Sequence, residues 1–260
     1  MIPPPTRWRR PTSFAFAVIV VFAGFFLHGL SASGLTLEAL AGSGPYLLDF
    51  LSYAFPPDLS RLDSVLWAIL ETFEMALVGT AFGVIISVPV ALLAARNTSP
   101  NVITYAMARG FVIFLRSVPD IAWGLIFVVA VGLGPAAGIL ALSVDAIGFC
   151  GRFFAERIEE VPPGPIDALR ATGASRTGTI AGAVLPSVLP SFIATAMFAL
   201  ESASRSAVVL GLVGAGGIGI ELSVSMQTLQ YDQAVTIILV IVGMVTLVER
   251  TAAAIRARVL

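Results

Sequence analysis

Long apolar runs recur along this chain and are separated by short polar segments. Of its 260 residues, 57% are hydrophobic and 12% are charged, whereas soluble domains carry about 25% charged residues. A helix needs about 20 apolar residues to cross the hydrocarbon core of a membrane, so five or six spans fit in this length and a second soluble domain does not. We therefore predict an all-α, polytopic membrane protein with about six transmembrane helices.

The apolar runs also give the boundaries of the predicted spans. The first run is longer than the apolar part of a typical signal peptide, and no clear cleavage site follows it. We therefore interpret it as a membrane span at 14–30. The whole chain, 1–260, is predicted to be a single transmembrane domain with its core at about 64–256. The predicted spans are 14–30, 64–95, about 102–134, 135–149, 186–200 and 234–248.

Arginine supplies every basic residue, and its distribution predicts an orientation. Cytoplasmic segments of membrane proteins are enriched in Lys and Arg. In a six-span arrangement most arginines fall on one side, whereas Arg61 falls on the other, in the acidic, Ser-, Gly- and Pro-rich segment 31–63. We therefore predict that both chain termini are cytoplasmic. The arginines of the predicted cytoplasmic side are Arg7, Arg9, Arg10, Arg96, Arg152, Arg157, Arg170, Arg176, Arg250, Arg256 and Arg258.

Composition argues against several function classes. A formal net charge of −1 does not suit nucleic-acid binding, which calls for a basic surface. Cys150 is the single cysteine, so it forms no internal disulfide, and no metal-ligand spacing surrounds it. His28, the single histidine, is the one base a serine protease site would have, and it lies at the far end of the first apolar run. We predict no catalytic residue and no metal site.

The segment 159–186 is the longest one that must lie in water. It opens with a cluster of three prolines, which stops any preceding helix because proline lacks a backbone N–H. Pro165 can start a new helix, and Asp167 would then lie near the positive end of the helix dipole. Gly173 breaks that helix or permits close approach. The segment is thus predicted to hold a short helix between two membrane spans.

Ionisable residues occur inside the predicted third span, where they are costly. Arg116 and Asp120 flank Pro119, which breaks the backbone hydrogen-bond ladder. An ionisable group at membrane depth costs at least about 2.5 kcal/mol and usually faces a bundle interior or a wet path. Two interpretations stay open: a transport path, or an Arg116–Asp120 ion pair that stabilises a kink. Further acidic residues within predicted spans are Glu71, Glu74 and Asp145.

A glycine-rich segment follows the fifth predicted span. Gly214, Gly216 and Gly219 formally match G-x-G-x-x-G, but no alternation of strands and helices surrounds them, so a dinucleotide site is not supported. Such glycine density suits non-helical or tightly packed backbone that lines a cavity. Just before it, Glu201 and Arg205 have the spacing of an ion pair within one helix.

The water-exposed segment resembles the cytoplasmic "EAA" signature of ABC importer permeases. The residues that carry the resemblance are Asp167, Ala168, Leu169, Gly173, Leu185 and Pro186. The departures are Asp167 in place of Glu, Leu169 in place of the second Ala, and Ala183 where Ile is usual. In that family the loop, here about 152–180, inserts into a groove on the ATPase subunit. The resemblance therefore implies ATPase coupling through these residues and Arg170.

Three further stretches, AERIEEVPPGPIDALRATGAS, LPSVLPSFI and ESASRSAVVLGLVGAGGIG, look like the phosphonate-type branch of these permeases. Its pattern departs at Ala203, where Asn is common, and at Val208, where Thr is common. The resemblance implies a permease of the cell inner membrane that passes a small oxyanion such as phosphonate, phosphite or phosphate. It implies a homodimer, two ATPase subunits that use ATP and Mg, and an extracytoplasmic binding protein. The chain itself would be no enzyme and would bind no cofactor.

The same resemblance assigns residues to the translocation path. Arg116 and Arg205 are expected to attract the anion, and the glycine-rich segment to form part of the outer gate. The full set is Arg116, Ser117, Pro119, Asp120, Glu201, Arg205, Gly214, Gly216, Gly217 and Gly219. Two alternatives stay open: a permease for another small solute, such as the amino acid of the methionine-type branch, and a secondary transporter that works without ATP. The absence of an evident internal repeat lends the secondary transporter no support.

Overall fold

The computed structural model describes residues 12–259, and helices joined by short turns make up this range without any strand. The helices are α1 (Ser13–Ala32), α2 (Leu37–Ala54), α3 (Leu62–Ala94), α4 (Val102–Ser117), α5 (Asp120–Val131), α6 (Pro135–Glu159), α7 (Pro163–Ala171), α8 (Arg176–Thr179), α9 (Leu185–Leu212), α10 (Ile218–Gln227) and α11 (Tyr231–Val259). The all-α prediction is confirmed. The arginines at 7, 9 and 10, which were predicted to lie on the cytoplasmic side, are outside the described range.

Two compact units share the chain, one within residues 12–53 and the other within 54–259. In the first unit, the Thr12 hydroxyl accepts a hydrogen bond from the Ala15 amide and caps α1. The predicted span 14–30 is thus helical. Helix α2 lies in the segment 31–63, for which no helix was predicted because glycine, serine and Pro45 lower the helical signal.

Among residues 12–259, five helices are long and apolar enough to cross a membrane: α1, α3, α6, the α8–α9 stretch Arg176–Leu212, and α11. Helices α4 and α5 form a sixth candidate, bent by 90° between them. Pro119 is the residue before α5 and has an extended backbone, with ψ 146°. Because its ring prevents the α conformation at Val118, the span breaks at the predicted position.

Small residues bring α6 into close contact with α3 in the second unit. A Cβ on Gly79 would lie 2.7 Å from the Leu142 Cβ, and one on Gly83 would lie 2.3 Å from the Ala146 Cβ. Close approach through small residues is a common way for membrane helices to associate. The Ser87 hydroxyl donates to the Gly83 carbonyl at 2.6 Å and lies 3.3 Å from the Ala146 carbonyl of α6.

Several helices extend beyond their predicted ends. Helix α6 continues to Glu159, so residues 152–159 belong to a helix and not to the predicted loop at 152–180. Helix α9 follows a π-helical turn at Ile180–Val184 and continues to Leu212, and α11 continues to Val259. Some charged residues in these extensions, among them Glu159, Glu201 and Arg205, have partners on other helices. This long-range pairing leaves no local signal in the sequence.

The α3–α6 contact yields a stability prediction. We expect Gly83→Ala to lower the thermal midpoint in detergent, because the added Cβ would meet Ala146 and lie 2.9 Å from the Ser143 carbonyl oxygen. Overpacking of this kind costs about 1–3 kcal/mol. The midpoint can be followed by the reaction of the buried Cys150 thiol with a fluorogenic maleimide. Gly110→Ala is the control, since a Cβ there meets nothing within 4 Å. Equal midpoints for the two variants would contradict the prediction.

Candidate functional site

Helix α7 carries four of the seven ATPase-coupling residues predicted from the sequence, those at 167–170. It begins at Pro163 after the extended Pro162, two residues before the predicted start at Pro165. Proline at a first helical position loses no hydrogen bond, so the helix can begin at Pro163 as readily as at Pro165. Asp167 is consequently the fifth residue of the helix and does not lie at its positive end. Its carboxylate instead lies 3.7 Å from the Arg170 guanidinium on an exposed surface.

A glycine turn ends α7. The Ala174 amide donates to the Leu169 carbonyl at 3.1 Å, and the Gly173 amide donates to the Arg170 carbonyl at 3.0 Å. This is a Schellman arrangement, which needs a residue with positive φ at its centre. Gly173 has φ +82°. The predicted helix break therefore has a specific geometry, and the chain next enters α8, whose first turn is capped by the Ser175 hydroxyl.

The two sides of α7 differ in exposure. Ile166 and Leu169 are partly buried, and the Leu169 Cδ1 lies 3.1 Å from where a Cβ on Gly182 would be. Asp167, Ala168, Arg170 and Gly173 are exposed. The outward side thus carries small and charged residues, while the apolar side holds the helix to its own chain. Leu185 is apart from this surface and packs against the buried cluster around Phe154, with the exposed Pro186 beside it.

Polar contacts fix the α7 segment to the turn between α3 and α4. The Arg176 guanidinium donates to the carbonyl oxygens of Thr98, at 2.9 Å, and of Ser99. The Asn97 side-chain amide donates to the Ile158 carbonyl at 2.7 Å. A cavity of about 560 Å³ remains between this turn and α7. The α7 segment cannot move without moving this turn or breaking these bonds.

Glu159, the last residue of α6, bonds to two other parts of the bundle. One carboxylate oxygen accepts from the Arg96 amide at 2.8 Å, and the other accepts from the Arg109 guanidinium at 3.0 Å. Arg109 also donates to the Ala94 carbonyl at 2.8 Å. Glu159 thus connects the end of α6 to the end of α3 and to α4. Its role was not predicted, because its partners lie 50 and 63 residues away in the chain.

The charged residues of the broken span do not form the ion pair considered from the sequence. Arg116 and Asp120 lie on opposite sides of the 90° bend, and no ion pair joins them. Asp120 accepts a hydrogen bond from the Ser206 hydroxyl of α9 at 2.8 Å and interacts with Asp145 of α6. The Arg116 guanidinium lies 6.0 Å from the centre of the Phe153 ring. The kink-stabilising pair considered from the sequence is therefore not formed in this structure, in which Pro119 interrupts the helix between the two residues.

Glu201 and Arg205 also pair differently from the prediction. Glu201 contacts Arg256 of α11 at 2.7 Å, and Arg205 contacts Glu249 of α11 at 2.7 Å. The expected pair within α9 is thus wrong, because a nearby antiparallel helix offers partners for both residues. The two ion pairs hold α9 against α11. The Glu201 side chain is 12% exposed, whereas that of Arg205 is 46% exposed.

The glycine-rich segment forms a tight turn between α9 and α10. Gly214, Gly216 and Gly217 have φ of +95°, +94° and +71°, so this backbone is non-helical as expected. The Gly217 amide donates to the Glu71 carboxylate at 3.1 Å, and the Ile218 amide donates to the Thr72 hydroxyl at 2.8 Å. Side chains of α3 therefore cap the N-terminus of α10. Glu71 thus faces other parts of the protein, as ionisable residues inside spans usually do.

Gly219 lies inside α10 and allows it to approach α9. A Cβ there would lie 2.2 Å from the Val208 carbonyl oxygen and 2.7 Å from the Gly211 Cα. Together with the capped turn, this contact leaves no open space beside the glycines in the isolated chain, where Gly216, Gly217 and Gly219 are buried. The segment is thus closely packed in this conformation.

These features define a helical membrane protein with a surface helix fixed to one end of its bundle. Residues 87–260 match the family model described as "Binding-protein-dependent transport system inner membrane component". The chain belongs to this family of ABC importer permeases, and the resemblance stated from its sequence is confirmed.

The relatives support the phosphonate-type branch. The chain is 40% identical over 242 residues to the phosphite transport system permease protein PtxC of Stutzerimonas stutzeri, which covers 93% of this chain and 86% of that protein. It is 38% identical over 204 residues to the phosphate-import permease protein PhnE of Mycolicibacterium smegmatis, covering 78% of this chain and 38% of that one. A structure of the MetNI methionine ABC transporter, in an inward-facing conformation, shares 27% identity with a TM-score of 0.69 and covers 78% and 99% of the two chains.

The two ion pairs between α9 and α11 yield a matched prediction. We expect Arg256→Ala to lower the thermal midpoint more than Arg205→Ala, because it leaves the mostly buried Glu201 without its partner. Breaking a buried pair costs up to about 3–5 kcal/mol, whereas exposed pairs contribute less than about 1 kcal/mol. Adding Glu201→Gln to Arg256→Ala should recover part of the loss. Equal effects of the two arginine substitutions would count against this assignment.

Proposed function

We propose that this chain is the membrane-spanning subunit of an ATP-driven importer that passes a small oxyanion from an extracytoplasmic binding protein to the cytoplasm. The observation that carries the proposal is helix α7. Its outward side is exposed, while its inward side packs against its own chain and Arg176, at the start of α8, bonds to the turn between α3 and α4. The names of the phosphite and phosphate permeases support a phosphonate-, phosphite- or phosphate-like ligand.

The proposed assembly contains two copies of this chain, two cytoplasmic ATPase subunits and one binding protein. ATP and Mg are used by the ATPase subunits, and this chain binds no cofactor of its own. The bundle end that carries α7 faces the cytoplasm, as do both chain termini, in the cell inner membrane. The arginines of that end, including Arg96, Arg152 and Arg176, support this orientation, because cytoplasmic segments are enriched in basic residues.

In the proposed coupling, Asp167, Ala168, Arg170 and Gly173 contact the ATPase, with Leu169 holding α7 to its own chain. Closure of the ATPase subunits displaces α7 and biases the bundle between two conformations. Leu185 and Pro186 lead from the π-helical turn into α9 and transmit the displacement to that helix.

The proposed path includes Arg116, Ser117, Pro119 and Asp120 at the bend between α4 and α5. The glycines at 214, 216, 217 and 219 contribute to the outer gate, since their turn is attached to α3 by Glu71 and Thr72. Glu201 and Arg205 hold α9 to α11. Their additional contribution to the path stays a prediction.

The likeness to the methionine transporter favours one alternative, a permease of the same kind for another small solute. The ligand held by the cognate binding protein distinguishes the two, since that protein selects the solute. A secondary transporter is the alternative from a different class. It would take up its solute without any ATPase.

Assembly through α7 can be tested with paired substitutions at Gly173. We expect Gly173→Glu to abolish co-purification of the ATPase subunit, because it adds a charge to the contact surface and a side chain at φ +82°. Gly173→Asn should retain at least about half of the ATPase, since asparagine tolerates this backbone conformation. The measurement is the molar ratio of the two subunits after affinity purification.

Two results would contradict the proposal. One is a wild-type subunit ratio in the Gly173→Glu variant with the membrane domain folded. The other is full uptake of the solute by vesicles that contain this chain but no ATPase, a result that would instead support a secondary transporter.

A further inference from the structure

A basic groove lies between α4 and α6, apart from the α7 surface. It encloses about 470 Å³, and three of its seven lining residues are arginines against a single acidic residue. The lining residues are Arg109, Val112, Ile113, Arg116, Ser117, Arg152 and Glu156. Arginines at this density in a membrane-embedded groove are costly, so the groove needs a physical explanation.

Two of the three arginines are engaged by acidic partners. Arg109 binds Glu159 at 3.0 Å, and Arg152 binds Glu156 at 2.8 Å. Arg116 has no carboxylate within ion-pair distance among residues 12–259. A guanidinium has five N–H donors and always carries its charge. Arg116 is therefore the cation of this groove with donors to offer to a ligand.

The Arg116 side chain is nevertheless held in position. Its guanidinium lies 6.0 Å from the Phe153 ring centre, a cation–π distance. Its Cγ lies 2.9 Å from where a Cβ on Gly148 would be, so the glycine makes room for the side-chain stem. The side chain thus lies along α6 and reaches the groove without forming an ion pair.

The groove runs from a point deep along α4 toward the α7 end of the bundle. Arg116 is 14 residues from the start of α4, which corresponds to about 21 Å along the helix. Arg152 and Glu156 lie in the last two turns of α6, near its end at Glu159. Measured from the start of α4, Arg116 therefore lies at more than half of the about 30 Å thickness of a hydrocarbon core, and Arg152 lies nearer to α7.

We propose that this groove is the cytoplasmic half of the solute's route and a transient site for one small tetrahedral oxyanion, bound first by Arg116 and released past Arg152. The proposal rests on the proposed function and adds a site to it. A guanidinium binds two oxygens of such an anion at once. The Asp145 carboxylate near Arg116, and the acidic partners of the other arginines, weaken the attraction so that the anion can leave.

Ser117 offers a direct test that needs no transport. Its side chain is exposed in the groove, and the single native cysteine, Cys150, is buried. In the full complex in membrane vesicles, we would introduce Ser117→Cys and measure its modification by an anionic and a cationic methanethiosulfonate. Each rate is divided by the reagent's rate with a free thiol. We expect the anionic reagent to be favoured about fivefold, as for one positive charge roughly 7 Å away.

Competition and charge removal complete that test. Millimolar phosphite or methylphosphonate should slow the anionic reagent at least about twofold more than chloride at equal ionic strength, as bidentate binding predicts. Arg116→Gln in the same background should remove both the preference and the protection. Equal rates for the two reagents, or equal protection by chloride, would overturn the proposal even if the wild-type complex transports an oxyanion.

Uptake by the complete transporter provides the second measurement. We expect Arg116→Gln to reduce phosphite or methylphosphonate uptake at least about tenfold, and Arg116→Lys to reduce it less, since a lysine keeps the charge without the bidentate geometry. Arg157→Gln is the control, because Arg157 pairs with Glu160 on the exposed end of α6. If wild-type vesicles take up no oxyanion while the thiol rates behave as expected, the groove does bind an anion but the proposed solute is wrong. Wild-type uptake in Arg116→Gln would remove Arg116 from the route.

Discussion

The close contact between α3 and α6 positions the other parts of the second unit. Gly79 and Gly83 remove the side chains that would otherwise separate the two helices. Helix α6 then contacts α4, α5 and α9 as well, and its last residue, Glu159, bonds to Arg96, just after α3, and to Arg109 in the middle of α4. Since α7 begins four residues later, the position of this surface helix follows from helix packing deep in the bundle.

Charged residues inside the bundle fall into two groups. Where an antiparallel helix provides a partner, as for Glu201 and Arg205, ion pairs hold helices together and satisfy groups that are expensive in a membrane. Where the chain breaks at Pro119, the charges are separated and Arg116 keeps unused donors. The proline break thereby leaves Arg116 without the Asp120 ion pair that their spacing in the sequence would allow.

The spans, the break at Pro119 and a helix within 159–186 were all predictable from the sequence, because apolar length and proline act locally. The partners of charged residues were not, since they depend on which helices are neighbours. The predicted Glu201–Arg205 pair was wrong for this reason, and the function of Glu159 and the capping of Gly217 by Glu71 left no local pattern. Helix α2 was missed because its composition resembles that of a connecting segment.

Arg109 contacts both the end of the bundle that carries α7 and the groove proposed to bind an anion. Its guanidinium holds Glu159 and the Ala94 carbonyl, and it also lines the groove beneath Arg116. A displacement of α7 that pulls on Glu159 therefore changes how much of the Arg109 charge is neutralised at the base of the groove. In an importer driven from α7, this link would let the ATPase change the attraction for an anion without a contact to the anion itself.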